Sequence, residues 1–421
     1  MKLNTVIILI AGSVVGLTGG VGAEPVRTNL NLDAVIQMAL ANSPELRVAG
    51  ARARSAVGRT LQARAWPNPE LEITTEDWPI QGGRGLGAAK HTLGISQTLP
   101  YPGKKSLDRQ IGQTGIRLSD AEMAVRRTET VRNAKAAFYQ VLAAERMVAA
   151  VGELTQVAES SMTTARKRSE AGATAYQEQL RAEIQWEQAK TELNTMQRDL
   201  ISARQTLGLM LGRPDLDTMA LSGTLAETAN ASLWETPVTT WLGQHPCLAV
   251  GLASLERARL ELRRMRLEPY PDVKVGLEGG RVGATDESIV GFRFSVPVPL
   301  FDRSKGRVQE TQARVEEAEA ELEVVRQQLQ REWVQAIKRY RTAAEHTRNQ
   351  RERILPKAAE ALRLVQVGFA EGKFNFIDLV DTQRTAAEAR LVYQQKLLEL
   401  NLAQAELEAL LAPQSVKTIS K

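Results

Sequence analysis

The sequence predicts a mainly α-helical chain with a small antiparallel β part, built from one unit used twice. Three observations predict it. The chain repeats itself at an offset near 200 residues. Two pairs of short alternating runs are bounded by glycine and proline. Two stretches of almost seventy residues contain hardly a proline.

The first segment reads as an address label. Lys2 precedes an apolar run from Val6 to Leu17, and Gly19-Gly20-Val21-Gly22-Ala23 follows. A basic start, a short apolar core and a small-x-small end describe a secretory signal peptide over 1–23. The run is too short for a membrane anchor, which needs ~20 apolar residues. No cysteine follows the cleavage point, so lipidation there is not expected.

The repeat organises the rest. Residues 42–73 align without gaps on 244–275, with Pro44/Pro246, Leu46/Leu248, Ala56/Ala258, Pro67/Pro269 and Pro69/Pro271 identical. Gly94/Gly291, Pro100/Pro297 and Pro102/Pro299 match further on, then Gly172/Gly372 and Leu200, Leu207 and Leu211 with Leu400, Leu407 and Leu411. Ten of the sixteen prolines occupy matched slots, an order of punctuation that chance does not supply twice. The expected units are 24–212 and 245–412, joined by a linker over 213–244 and followed by a tail over 413–421.

Each unit reads helix, strand, strand, long helix, return helix. Helix-period segments near 43–65 and 245–267 end at Pro-x-Pro, which removes donors and favours extended backbone. Period-two runs follow, with Leu71, Ile73 and Thr75, or Val273, Val275 and Leu277, on one face. They predict strands over about 69–78 and 91–99, and over 271–279 and 288–296, with 79–90 and 279–288 as hairpin loops. GGRGLG at 82–87 has no helix after it, so it reads as a loop rather than a phosphate cradle. Long helices are predicted over 104–171 and 303–371, the second kinked at Pro356, with return helices over 174–211 and 374–411. Tyr393, Leu397, Leu400, Gln404, Leu407 and Leu411 step as a coiled-coil seam. Leu391, Leu398, Leu402, Ala405 and Ala409 form a second stripe, so this helix has a neighbour on each side. A short helix plus a return helix roughly equals a long helix in length, so the two can stack end to end beside it. Four strands cannot close a barrel. Closure takes about 8 at least, so more than one chain is required.

Composition narrows function by exclusion. The single cysteine, Cys247, rules out a disulfide framework, and three scattered histidines leave little for a metal or catalytic cluster. The formal charge of +5 comes from interleaved acids and bases, without the basic stripes that nucleic-acid binding needs. No catalytic constellation recurs with usable spacing, so neither an enzyme nor a cofactor is expected.

The duplicated NSP/QHP helices, the two hairpins and GFAEGKFNFIDLVDTQRTAAEAR at 368–390 resemble the TolC family of outer-membrane efflux ducts. SQTLPYPGKK at 96–105 and PVPLFDRSKGRVQETQA at 297–313 are similar to its cobalt–zinc–cadmium branch. The resemblance covers essentially the whole chain after the leader. It implies a homotrimer with a 12-stranded barrel among outer-membrane lipid, continued by a helical tube through the periplasm. It also implies docking on a periplasmic adaptor and a proton-driven inner-membrane pump, with heavy-metal cations as cargo. A duct for drugs or other small molecules is the alternative, and a periplasmic coiled-coil scaffold or adaptor is the reading from another class.

Asp378 and Asp381, spaced i,i+3, share a helix face. In the resembling family such a pair lines the periplasmic constriction, which makes them the gate candidates. They read equally as helix capping, with Asn375 as N-cap and Asp378 three residues on. The first copy has Glu178 and Arg181 in those slots. Gly172, Ala173 and Thr174, with Phe369, Gly372 and Lys373, mark the two turns expected to meet the adaptor. His245 and Cys247 flank Pro246 as weak soft-metal candidates. Packing is the commoner role for such a cysteine.

Overall fold

A computed structural model describes residues 30–77, 85–213, 221–230, 232–235 and 241–411. The signal segment and the tail over 413–421 lie outside the described residues, as does part of the linker. No helix among the described residues is long and apolar enough to cross a membrane.

The expected helix over 43–65 is present, and a further short helix, not expected, precedes it. α1 (Leu32–Asn42) and α2 (Pro44–Arg64) meet at Ser43, which closes one and opens the other. The Ser43 N–H donates to the Ala39 carbonyl at 3.0 Å, and its Oγ accepts from Leu46 N–H at 3.3 Å. Pro44 takes the first helical position, where a missing N–H costs nothing. Leu30 pairs in parallel with Leu221, so the segment just before α1 and the linker touch.

β1 (Glu70–Glu76), β2 (Lys90–Leu99), β3 (Val273–Val282) and β4 (Glu287–Ser295) form one antiparallel sheet in sequence order. β3 extends past the expected end at 279, so 279–282 is strand and the turn is confined to 283–286. Gly280, one of the glycines that suggested a loop, is there for clearance. A Cβ on Gly280 would collide with the His91 carbonyl on β2. In the first hairpin, 78–84 lies outside the described residues, and Gly85–Ala88 forms a 3₁₀ turn. Register aligns Leu71, Ile95, Leu277 and Phe292 in one row across all four strands. This face is uncovered: Ile73 is 78% exposed and Phe292 89%. The opposite face is polar. There Arg293 pairs with Glu72 at 2.6 Å and Glu278 at 2.7 Å, and Lys274 with Glu70 at 2.6 Å.

α3 (Lys104–Glu170) runs 67 residues, about 100 Å at ~1.5 Å per residue. α4 (Tyr176–Leu211) returns beside it. Beyond the short helix α5 (Ser232–Glu235), the second copy gives α6 (Pro246–Met265), α7 (Lys305–Asn349), α8 (Leu355–Ala370) and α9 (Phe376–Leu411). The expected helix over 303–371 begins at Lys305 and is interrupted. Pro356 can neither donate nor tolerate the carbonyl four residues back. The strain is absorbed upstream as one π turn, Gln350–Ile354, in which Leu355 N–H reaches Gln350 O. Gln350 is 6% exposed, and its Nε2 donates to Ala389 O on α9 at 2.9 Å.

The helices form a wall of columns. α4 ends where α1 ends and α2 begins: Asn42 Nδ2 donates to Leu211 O at 2.6 Å. α3 touches α2 and α4 on one side and α6 and α9 on the other, and α7 packs beyond against α6 and α9. Val35, Phe138, Val141, Leu207, Leu211 and Leu397 fill one core, and Trp241, Leu329, Trp333, Tyr340, Leu400 and Leu407 the other. α9 thus has two neighbours, but its seam divides between them, Leu397 joining the first core and Leu400 and Leu407 the second. Asn401 pins the linker by accepting from Ala226 N–H at 2.9 Å and donating to Ala226 O at 3.1 Å.

The sheet joins the columns through a polar knot. Buried Lys104 bonds Asp272 at 2.9 Å, Tyr101 N–H donates to the same oxygen at 2.8 Å, and Tyr101 stacks on Tyr270 at 4.8 Å. Arg264 bridges Asp108 at 2.9 Å and Glu268 at 2.7 Å. The Arg264 bond holds the Glu268 carboxyl below its usual range, against the opposing effect of burial.

Candidate functional site

The two turns between long and return helices are built alike. Gly172 (φ 71°) and Gly372 (φ 75°) are left-handed, the conformation that ends a helix with least penalty for glycine. Gly172 N–H donates to Ser169 O at 2.9 Å and Ala173 N–H to Arg168 O at 2.8 Å. Gly372 N–H donates to Phe369 O at 3.1 Å and Lys373 N–H to Gly368 O at 2.7 Å. Both are Schellman closures, which satisfy the last carbonyls of each long helix. Phe374 lies over Gly368, where a Cβ would strike its ring.

The structure brings both turns to one end of the wall. Ala165 and Met162 of α3, Ala182 of α4, Phe369 of α8, and Phe376 and Val380 of α9 share one apolar cluster. The Arg168 guanidinium sits 5.5 Å from the Phe369 ring centroid, a cation–π contact between the copies. Phe369 and Phe376 rings lie 6.3 Å apart. Sequence reasoning singled out Phe369 only as a turn residue and missed Arg168 and Phe376. Phe376, apolar at the first position of α9, was the available signal. Lys373 pairs with Glu371 at 2.6 Å, both exposed.

Asp378 and Asp381 are exposed on α9, while Phe376 and Leu379 between and beside them face inward. Asn375 and Asp378 make the reciprocal box: Asp378 N–H donates to Asn375 Oδ1 at 2.9 Å, and Asn375 N–H to Asp378 Oδ2 at 3.2 Å. Asp381 has no hydrogen bond or ion pair to its carboxylate among the described residues. The nearby Arg384 is engaged by Glu388 at 2.7 Å. In the first copy, Ala175 caps α4 without any side-chain bond.

His245 and Cys247 stand far from this end. His245 is buried, and its Nδ1 accepts from Cys247 N–H at 3.2 Å, capping α6 as Ser43 caps α2. Burial lowers the His245 pKa, and burial raises that of the Cys247 thiol, with Glu129 and Glu332 adding to the latter. Among the described residues, no three His, Cys, Asp or Glu side chains gather as a metal site.

A family model described as outer membrane efflux protein matches residues 35–213 and 239–412. The chain is 25% identical over 364 residues to the cobalt-zinc-cadmium resistance protein CzcC of Cupriavidus metallidurans, covering 86% of this chain and 85% of that protein. It is 26% identical over 280 residues to the nickel-cobalt-cadmium resistance protein NccC of Alcaligenes xylosoxydans xylosoxydans, covering 65% and 62%. The outer membrane protein VceC of Vibrio cholerae shares the fold, with TM-score 0.75 and 17% identity over 90% of this chain and 95% of that one. Matched along both repeats, the chain belongs to the outer membrane efflux protein family.

Proposed function

We propose that three copies of this chain form the outer-membrane exit duct of a tripartite pump that expels heavy-metal cations. The single observation that carries it is the sheet. A four-stranded meander whose apolar face is uncovered and whose outer edges at β1 and β4 are unpaired among the described residues is incomplete alone. Edge-to-edge joining of three such sheets closes twelve strands, a size found in membranes. The polar face then lines the lumen. It carries Glu70, Glu72, Glu76, Glu278 and Glu287 against Lys90, Lys274 and Arg293, an acidic balance that favours cations. The resistance roles in the names of CzcC and NccC support metal over drug cargo.

The duct conducts passively; the pump supplies the energy through the adaptor. The Gly172–Thr174 and Phe369–Lys373 turns form the tip that meets the adaptor. Asp378 and Asp381 of each copy form a carboxylate ring at the narrow end. The capping box already uses Asp378, so Asp381 is the freer gate charge.

Conductance in planar bilayers tests this, comparing the purified protein with Asp378→Ala/Asp381→Ala. Small cation-selective currents that rise in the variant are expected. Unchanged currents return both residues to capping alone, and an absent channel removes the duct. Growth of a deletion strain on zinc, cadmium and cobalt, beside a drug panel, separates the two cargo classes.

A further inference from the structure

We infer that Leu300–Arg303, extra residues carried by the second copy, anchor the periplasmic rim of the sheet among phospholipid headgroups. The inference rests on the membrane-spanning reading of the sheet. In copy one only Gly103 separates Pro102 from the long helix at Lys104. In copy two Leu300–Ser304 separate Pro299 from Lys305. The added segment carries the most exposed apolar side chain named so far: Phe301 is 99% exposed, with Leu300 and Val298 beside it also open.

Three features identify what covers it. First, the segment continues the uncovered face. Val290, Phe292 and Phe294 alternate outward along β4, and past the strand's end, after half-buried Val296, Val298 is open again. Pro297 and Pro299 cannot join a ladder, so this stretch runs unpaired. Leu300 N–H then turns back to Val298 O at 2.9 Å, just before Phe301. Second, the matching place in copy one is closed: Tyr101 stacks on Tyr270, and Lys104 is buried on Asp272. Third, the neighbouring charge suits phosphate. Arg303 and Lys305 are exposed and have no carboxylate partner among the described residues, whereas Arg307 is held by Asp302 at 3.3 Å. Both line a shallow cavity of about 480 Å³ on the first turns of α7, with Val308, Gln309 and Gln312. An aromatic and aliphatic finger followed by free cations is the composition of a membrane boundary, apolar groups in the acyl region and cations at phosphate.

Nitroxide labels at Phe301→Cys and, separately, Leu300→Cys test the assignment in a Cys247→Ala background. The full chain is reconstituted in phosphatidylethanolamine vesicles with and without phosphatidylglycerol. Collision with oxygen and with a water-soluble nickel chelate gives depth, with Phe292→Cys as the lipid reference and Glu323→Cys on α7 as the water reference. Labels at 300 and 301 should fall between the references. Phosphatidylglycerol should deepen them severalfold in oxygen-to-nickel ratio, and Arg303→Gln/Lys305→Gln should abolish that response. Nickel contact equal to that at 323 would overturn the anchor. So would shielding from both reagents, which means a neighbouring copy covers the finger, or indifference to phosphatidylglycerol. A label at 292 without oxygen contact would overturn the membrane sheet itself and the anchor with it.

Discussion

His245 shows how one side chain can serve a role its chemistry does not advertise. Its Nδ1 closes the start of α6 in place of the serine that closes α2. Loss of such a cap costs about 1 kcal/mol, so His245→Ala should lower the melting temperature and His245→Ser should restore it. Burial makes the folded protein a poorer proton acceptor here than the unfolded chain. The unfolded state therefore binds more protons as pH falls below about 6.5, and stability declines with it. His245→Ser should flatten that acid-side decline in melts recorded between pH 7 and 5. Gly372→Ala forces a side chain into a left-handed turn, at roughly 1–2 kcal/mol. Faster hydrogen exchange confined to the tip, with unchanged exchange at Leu400 and Leu407, is the expected signature. Proline and glycine made the caps and turns legible from sequence alone, because their backbone limits are local. The Arg168–Phe369 contact was not legible, because residues two hundred apart meet only after both copies fold.

Among the elements, reading succeeded where periodicity was long and failed where one residue decides. α3 shows 67 uninterrupted residues with no proline, so its course was evident. The boundary at Ser43 was read, but α1 before it was missed, because Ser-Pro looks the same whether it opens a first helix or separates two. Gly280 looked like loop, yet a crowded strand also excludes Cβ, and only register distinguishes the cases. The knot between sheet and columns depends on such register too. Arg264 reaches Asp108 of one copy's long helix and Glu268 of the other's strand approach. Because Glu268 is held low, its contribution is present at neutral pH and is lost as pH falls through its lowered folded value. Arg264→Met should therefore destabilise the protein at pH 7. Its deficit should narrow below about pH 4, as read from denaturant midpoints at both values.

For the whole molecule, the apolar face of the sheet is the feature that demands partners. Phe292→Arg places a charge on that face, at about 2–4 kcal/mol if the position lies near the bilayer midplane. The variant should be depleted from the outer-membrane fraction, while the same change at exposed Glu323 should leave localisation intact. The Gln350–Ile354 π turn has a mechanical consequence at this scale. One long column is an unbroken rod, whereas its counterpart carries a joint, held by side-chain bonds from Gln350 to the Ala389 carbonyl and from Arg351 to the Glu227 carbonyl. Duplication supplies near-identical staves, but their compliance differs. In the proposed trimer stiff and jointed staves alternate, so any bending concentrates at three equivalent joints, and the pipe flexes with the symmetry of its subunits rather than that of its repeats.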